Sequence, residues 1–352
     1  MGWEGDKRSQ RLRELDGLRG LAALSVFFLH LSILGPPWIP RGLWGIGRDG
    51  IAAVDLFFVL SGFVLARSLL LDPQDYLTFI RRRFLRLYPA YWAALVLAAA
   101  LSLMRNRAGL ADLHQYGAGV LWERPITLQQ AAKHLFMITP GINFEAIDSP
   151  IWSLVVEMRI SLLLPLMLAG FLRLPPLLQF TALVMSPALG LIPSMPFGLQ
   201  FVPMFLLGIA LAVYVAPGPH PWWLITLLFV GGTILCSNGQ LVATGRLCSD
   251  YVAAAGAAML IIVAISSRWA SKLLLVGPVQ WLGHISYSFY LVHLPAIVFV
   301  TSWVFPRTQS TAFCVLASLI TAIGIATALR RWIELPGLRL PVPRVGYAFF
   351  PR

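Results

Sequence analysis

Residues 17–34 read GLRGLAALSVFFLHLSIL, an apolar run of eighteen residues broken only by Arg19 and His30. A run of that length and hydropathy crosses the hydrocarbon core of a bilayer as a helix. Arginine and histidine are costly in hydrocarbon, so a span that carries both marks a functional site rather than a simple anchor. The eleven helical steps from Arg19 to His30 come to about 20° past three full turns, so the two side chains point the same way. Along the axis they lie about 16 Å apart, about half the hydrocarbon thickness. One helix face therefore links a cation near the membrane surface to a titratable imidazole deep inside.

The same character extends over all 352 residues, of which 58% are hydrophobic and only 12% charged, with a mean hydropathy of +0.76. That charged fraction is about half of what a soluble domain carries. Apolar stretches recur at 17–34, 50–71, 84–104, 150–172, 175–193, 197–215, 221–237, 249–267, 285–305 and 311–330, punctuated at Gly35-Pro36-Pro37, Pro175-Pro176, Pro217-Gly218-Pro219 and Gly277-Pro278. The pattern predicts an all-α polytopic membrane protein, a bundle of about ten transmembrane helices. One integral-membrane domain covers 1–352, with a cytoplasmic N-terminal segment at 1–16 and a cytoplasmic tail at 331–352. The first apolar run lacks a cleavage site and is not read as a removable signal.

The net charge of +12 does not point to nucleic acid, because the basic residues cluster between spans. With the N-terminus inside, 17 of the 27 Lys and Arg residues fall in inner segments, eight in outer loops, and Arg19 and Arg159 within spans. That asymmetry puts both termini in the cytoplasm and requires an even number of spans. Residues 126–140 and 268–282 mix basic, aromatic and apolar positions and read as segments lying along the two surfaces. Cys236 and Cys248 flank one loop and are placed to pair if it faces an oxidising compartment. No cysteine or histidine spacing resembles a zinc site, and no metal is expected.

Depth organises the ionisable groups. His30 lies about one turn from the outer end of its span, Asp55 a little over one turn below the outer surface, and Glu157 about two turns in. Three titratable groups on three helices thus fall at similar depth, and an imidazole beside a carboxylate is the arrangement of an oriented general base. Arg159 reads either as a structural partner for one of the carboxylates or as a substrate contact. The run Phe79-Ile80-Arg81-Arg82-Arg83-Phe84-Leu85-Arg86-Leu87-Tyr88-Pro89 also carries two readings. It is a stop-transfer cluster on lipid headgroups, or a helix face whose Arg82, Arg83 and Arg86 receive a polyanion such as a nucleotide phosphate.

Five stretches carry a resemblance. They are Leu15-Asp16-Gly17-Leu18-Arg19-Gly20 with His30, Val54-Asp55-Leu56-Phe57-Phe58-Val59-Leu60-Ser61-Gly62-Phe63, and Arg82-Arg83-Phe84-Leu85-Arg86-Leu87-Tyr88-Pro89-Ala90-Tyr91. Trp152-Ser153-Leu154-Val155-Val156-Glu157 and Leu282-Gly283-His284-Ile285-Ser286-Tyr287-Ser288-Phe289-Tyr290-Leu291-Val292-His293 complete the set. In this order and spacing the chain resembles the acyltransferase 3 family of integral-membrane O-acyltransferases over nearly its whole length. The resemblance implies a bundle of ten helices in a bacterial inner membrane. It would move an acyl group, usually acetyl, from cytoplasmic acyl-CoA to a hydroxyl of a sugar or glycolipid. It implies His30 as the catalytic histidine with Arg19 as its conserved-motif partner, Arg83 and Arg86 as contacts of the coenzyme A phosphates, and Trp152, Ser153 and Glu157 lining the reaction chamber. Beside it, the residue pattern adds Arg82 to the donor contacts, takes the pantetheine arm past Arg19, gives Glu157 or Asp55 the task of orienting His30, and keeps Arg159 as a substrate contact or a structural cation. Where many members carry a second acidic residue after the Glu157 position, this chain has Met158-Arg159-Ile160-Ser161. Some members carry an extracytoplasmic hydrolase-like domain, so later handling of the acyl group is expected to need a separate partner protein. The rival readings are a proton-coupled transporter or flippase using His30, Asp55 and Glu157 as a relay, and a sensor that binds acyl-CoA without turnover.

Overall fold

The computed structural model describes residues 12–34, 44–108, 122, 127–144, 147–192, 197–242 and 246–343. These are almost entirely helical, with no strand among the described residues. Seven helices are long and apolar enough to cross a membrane: α1 (Arg13–Leu34), α2 (Trp44–Leu71), α3 (Tyr76–Arg107), α5 (Ile151–Arg173), α9 (Arg246–Ser266), α11 (Gly277–Thr308) and α12 (Thr311–Leu329). Three shorter apolar helices occupy the fifth, sixth and seventh expected positions: α6 (Pro176–Met185), α7 (Val202–Tyr214) and α8 (Trp222–Val242). The chain is an all-α, multi-pass membrane protein.

Two short helices lie between them. The expected surface segment 126–140 contains α4 (Leu128–His134), opened by a Thr127–Gln130 capping box. It is clamped over α3, whose Tyr91 and Trp92 donate to the carbonyls of His134 and Leu135, each at 2.8 Å. The segment 268–282 divides at Gly277-Pro278. Its first half is α10 (Arg268–Leu274), and its second half is the opening of the 32-residue α11, which begins eight residues before the expected span.

Close backbone approach, which only glycine permits, fixes the two contacts that place the site. Across α1 and α11, a methyl group on Gly283 would run into the carbonyl of Asp16, and one on Gly20 into the backbone of Gly283. Across α2 and α7, side chains at Gly62 and Gly208 would strike the carbonyls of Phe205 and Val59. Small residues at helix interfaces are the usual route to tight packing in lipid, where the hydrophobic effect does not drive helices together. Around these contacts Phe27, Phe58, Phe63, Tyr88, Tyr91, Phe205 and Phe289 fill the interior.

The chain does not leave the bundle at residue 331. A π-helical turn, Arg330–Glu334, continues α12 and passes into α13 (Leu335–Arg339). Such turns recur at functional sites. This one carries Glu334 inwards, and its side chain is 0% exposed.

Two consequences are open to measurement. Replacing Gly208 by valine overpacks α2 against α7, at a cost of about 1–3 kcal/mol. The Gly208→Val protein should melt several degrees lower in detergent, and an unchanged melting temperature would show that the interface can spread. Asp148, in the loop before α5, is 2% exposed with Oδ1 unpartnered, and burial pushes its carboxyl well above the usual carboxylate range. A carboxyl with a raised folded pKa binds its proton more tightly when folded. Its stabilising contribution is therefore complete below the unfolded value of about 3.9 and is lost as pH rises through the folded value. Asp148→Asn should raise the melting temperature at pH 7.5, with the gain shrinking towards pH 4; a gain that does not change with pH contradicts this account.

Candidate active site

A face of α5 sets up the first half of the site. Ser153, Glu157 and Ser161 are spaced four apart and so share one side of the helix, turned towards α2 and α3. Glu157 accepts a hydrogen bond from Arg83 Nη2 at 2.7 Å and from Ser61 Oγ at 3.0 Å, and Arg83 Nη2 also donates to Ser161 Oγ at 3.1 Å. Arg86, one turn further along α3, donates from Nη1 to Glu334 Oε1 at 2.6 Å. Ser288 on α11 donates to the other oxygen of Glu334 at 2.6 Å, and the Arg86 guanidinium lies over the Tyr287 ring, 5.5 Å from its centre. Arg82 faces outwards, with Asp72 3.6 Å away and both side chains about half exposed. The three arginines of one expected helix face thus reach three different carboxylates.

Arg19, Arg82, Arg83, Arg86, Ser153 and Glu157 all line one cavity of about 300 Å³ between α1, α2, α3, α5 and α11. Its far wall is aromatic. The Tyr290 hydroxyl lies 2.7 Å from Ser153 Oγ, and the Tyr290 ring meets Phe57 edge-on at 5.7 Å.

Behind Tyr290 stand two histidines. His293 is 0% exposed, and its Nδ1 lies 2.6 Å from the carbonyl of Tyr290. A carbonyl only accepts, so Nδ1 of His293 carries the proton and, in the neutral ring, Nε2 is an acceptor. That Nε2 lies 3.2 Å from His30 Nδ1, which is also 3.0 Å from the carbonyl of Val26. Flanked by two acceptors, His30 Nδ1 must be the protonated nitrogen. Its Nε2 is left with a free lone pair, the form required of a base. The two rings meet edge to face, 4.9 Å between centres.

The expected residues are grouped differently from the depth argument. Glu157 bonds to Arg83 and Ser61, while His30 bonds to Val26 and His293. Asp55 is buried on α2, at 2% exposure, and does not line the cavity. Trp152 packs its ring between Phe58 and Phe201. Arg159 donates to the carbonyls of Phe197 and Thr139, at 3.0 and 2.8 Å, tying α5 to the adjoining loops. Cys236 is partly buried and donates to the carbonyl of Ala253, Cys248 is exposed, and the two are not joined in a disulfide.

His293, Tyr290 and Glu334 escaped the sequence reading of the charged groups. His293 had the signal that singled out His30, an imidazole within a long apolar span. Glu334 had none, because a glutamate four residues past the expected last span reads as a solvated tail.

Comparison with known proteins bears on the same residues. A family model described as an acyltransferase domain matches residues 12–331. The peptidoglycan O-acetyltransferase OatA of Listeria monocytogenes is 27% identical over 92% of this chain and 55% of its own length. The O-acetyltransferase OatA of Staphylococcus aureus is 25% identical over 92% of this chain and 56% of its own length. The acyltransferase MdmB of Streptomyces mycarofaciens is 34% identical over 45% of this chain and 40% of its own length. The chain therefore spans about half the length of these relatives. No solved structure matches it significantly. With a family match that runs from the start of α1 into the π-helical turn, the chain belongs to the acyltransferase 3 family.

Proposed function

We propose that the protein is a membrane O-acyltransferase of a bacterial plasma membrane. It takes an acyl group, acetyl above others, from cytoplasmic acyl-CoA and places it on a hydroxyl of a cell-surface or exported carbohydrate. The observation that carries this reading is the His30–His293 pair. It leaves one nitrogen of His30 unprotonated, on a ring joined through His293 to Tyr290, the aromatic end of a cavity whose other walls hold Arg19, Arg82, Arg83 and Arg86. The two OatA relatives, named as O-acetyltransferases and one of them for peptidoglycan, favour acetyl and a carbohydrate.

In this mechanism the arginine-lined cavity admits the donor, and its thioester passes Tyr290 to reach His30. His30 Nε2 removes the acceptor hydroxyl proton as the oxygen attacks the thioester carbonyl. The tetrahedral intermediate expels the coenzyme A thiolate, which takes the proton back from His30, leaving ester and free thiol. His293 holds His30 in the reactive tautomer throughout, the task first expected of Glu157 or Asp55. Glu157 instead holds Arg83 in the cavity wall, and Ser153 and Tyr290 offer hydroxyl donors to the developing oxyanion. Arg159 and Trp152 shape the loops and rings on the acceptor side of α5.

The experiment that tests the function is a mass-spectrometric survey of base-labile esters on the envelope and secreted glycans of the host. It compares wild type, a deletion, and the deletion complemented with His30→Ala. An ester lost in the deletion and not restored by His30→Ala is expected; restoration would remove His30 from the chemistry. Dependence on acyl-CoA rather than on a proton gradient separates the enzyme from a transporter. For His293→Gln, the transfer rate should fall by about two orders of magnitude. The pH–rate profile should shift while acyl-CoA binding holds, and a slower enzyme with an unmoved profile would reduce His293 to a packing residue.

A further inference from the structure

We propose that a second cavity, at the mouth of the first, is a phosphate-ester site in which Arg19 and Arg67 hold the nucleotide end of the acyl donor. The inference rests on the proposed function for the identity of the donor. It moves the phosphate contacts away from the α3 arginines to which the resemblance assigns them.

The cavity measures about 530 Å³ and lies where the starts of α1 and α11 meet the ends of α2 and α12. Its charged lining consists of Arg19, Arg67, Arg86 and Arg330 against Asp16 and Asp72. Two of these cations are already bound to the protein. Arg86 and Arg330 both point Nη1 at Glu334 Oε1, and Arg330 also donates to the carbonyl of His284. Asp72 has Arg82 beside it. Neither Arg19 nor Arg67 makes a hydrogen bond or an ion pair with any described residue, and the Nε of Arg67 is buried with no partner. Arg67 keeps a buried donor with no partner, and Arg19 is offset only electrostatically, by Asp16 and Glu157, so an anion that joins the two guanidinium groups is favoured.

A lipid-facing explanation exists for Arg67, since a cation near the end of a span commonly reaches back to the headgroups. The buried Nε argues against it, because a snorkelling arginine puts its whole head in the interface. Phosphate is the anion of choice for a guanidinium fork, which offers it two parallel hydrogen bonds.

The two cavities share Arg19, Val64, Ser68, Arg86 and Ser286 as walls, so they form one continuous path. Along α11 the path climbs from Gly283 to Tyr290, seven residues or about 10 Å. A ligand with an anionic head and a long uncharged arm fits that division. The head stays at Arg19 and Arg67, and the arm runs between the ion-paired Arg83 and Arg86 towards Tyr290. An anionic lipid headgroup offers the same phosphate ester, so the test must separate the two sources.

The probe is adenosine 3′,5′-bisphosphate, which carries donor phosphates without arm or thioester, titrated calorimetrically into the full chain in nanodiscs of zwitterionic lipid. Arg67→Gln should weaken binding by about tenfold or more. Arg81→Gln, at an exposed position outside both cavities, should leave it unchanged. Equal binding by wild type and Arg67→Gln overturns the subsite, as does an equal loss in Arg81→Gln, which would show only diffuse attraction. Absence of any binding of the bisphosphate or of acetyl-CoA by wild type would instead overturn the donor assignment in the proposed function. Discs containing phosphatidylglycerol supply the remaining arm. If Arg67→Gln changes only the amount of anionic lipid retained, measured by native mass spectrometry, the site belongs to a headgroup and the proposal fails. Arg67→Lys, which keeps the charge but loses the fork, should recover part of the lost affinity, and a folded Arg67→Lys with wild-type affinity would exclude fork recognition.

Discussion

Ionised groups inside a membrane protein must find partners there, and the whole site follows from how this chain meets that requirement. Stranding one buried charge costs about 3–5 kcal/mol, so a carboxylate among arginines is held by them. Glu157 is held by Arg83 and Ser61, and Glu334 by Arg86, Arg330 and Ser288. Both acids are thereby committed, and neither is among the hydrogen-bond partners of the histidines. The group that orients His30 is accordingly another neutral imidazole. A neutral pair avoids the cost of burying charge in the resting protein and keeps the proton on a defined nitrogen. A carboxylate beside His30 would orient it as well and would stabilise the imidazolium formed on proton uptake, but at the cost of a further buried charge in the resting protein.

The glycine contacts make this possible geometrically. Asp16 and Gly20 touch Gly283 backbone to backbone, which sets α1 against α11 at closest range. His30 and His293 then meet three to four turns further along the same pair of helices. Their separation of 3.2 Å is set by main chain at one end and read out by side chains at the other. The π-helical turn does comparable work for α12, because its wider winding turns Glu334 into the bundle rather than along its surface.

Much of the fold was legible because length and hydropathy alone identify helices in lipid. Each expected stretch falls on a helix, seven of them long and apolar enough to cross a membrane and three, α6, α7 and α8, shorter. Depth was the weaker coordinate. Counting turns from helix ends placed Arg83 at the inner surface and Glu157 in the outer half, yet the two are in contact. A straight count ignores the reach of an arginine side chain, the tilt of the helices, and the two extra turns before the expected span, since α3 starts at Tyr76 rather than Phe84. The sequence singled out Arg19, Arg83, Arg86 and Glu157, which line one cavity, and His30, but not who pairs with whom. Pairing is a property of helix rotation, which no single-helix pattern contains. The π-helical turn lay further out of reach, since Arg330–Glu334 differs from an α-helix by one residue of register that composition does not encode.

A division between charge and base follows along the bundle. Every arginine in the shared cavities belongs to the end where α1, α3 and α11 begin, and the imidazole pair stands beyond Tyr290. In the proposed reaction an anionic head stops where it is compensated, and an uncharged arm meets the aromatic wall formed by Phe57 and Tyr290. If donor and acceptor approach from opposite membrane faces, the barrier that keeps the head back also keeps water and ions from a continuous path. Tyr290 joins both functions at one residue. Its carbonyl fixes the tautomer of His293, and its ring and hydroxyl close the cavity against Phe57 and Ser153. Movement of Tyr290 to admit a thioester would therefore be felt at His30 through a single intervening ring, which couples donor arrival to the state of the base.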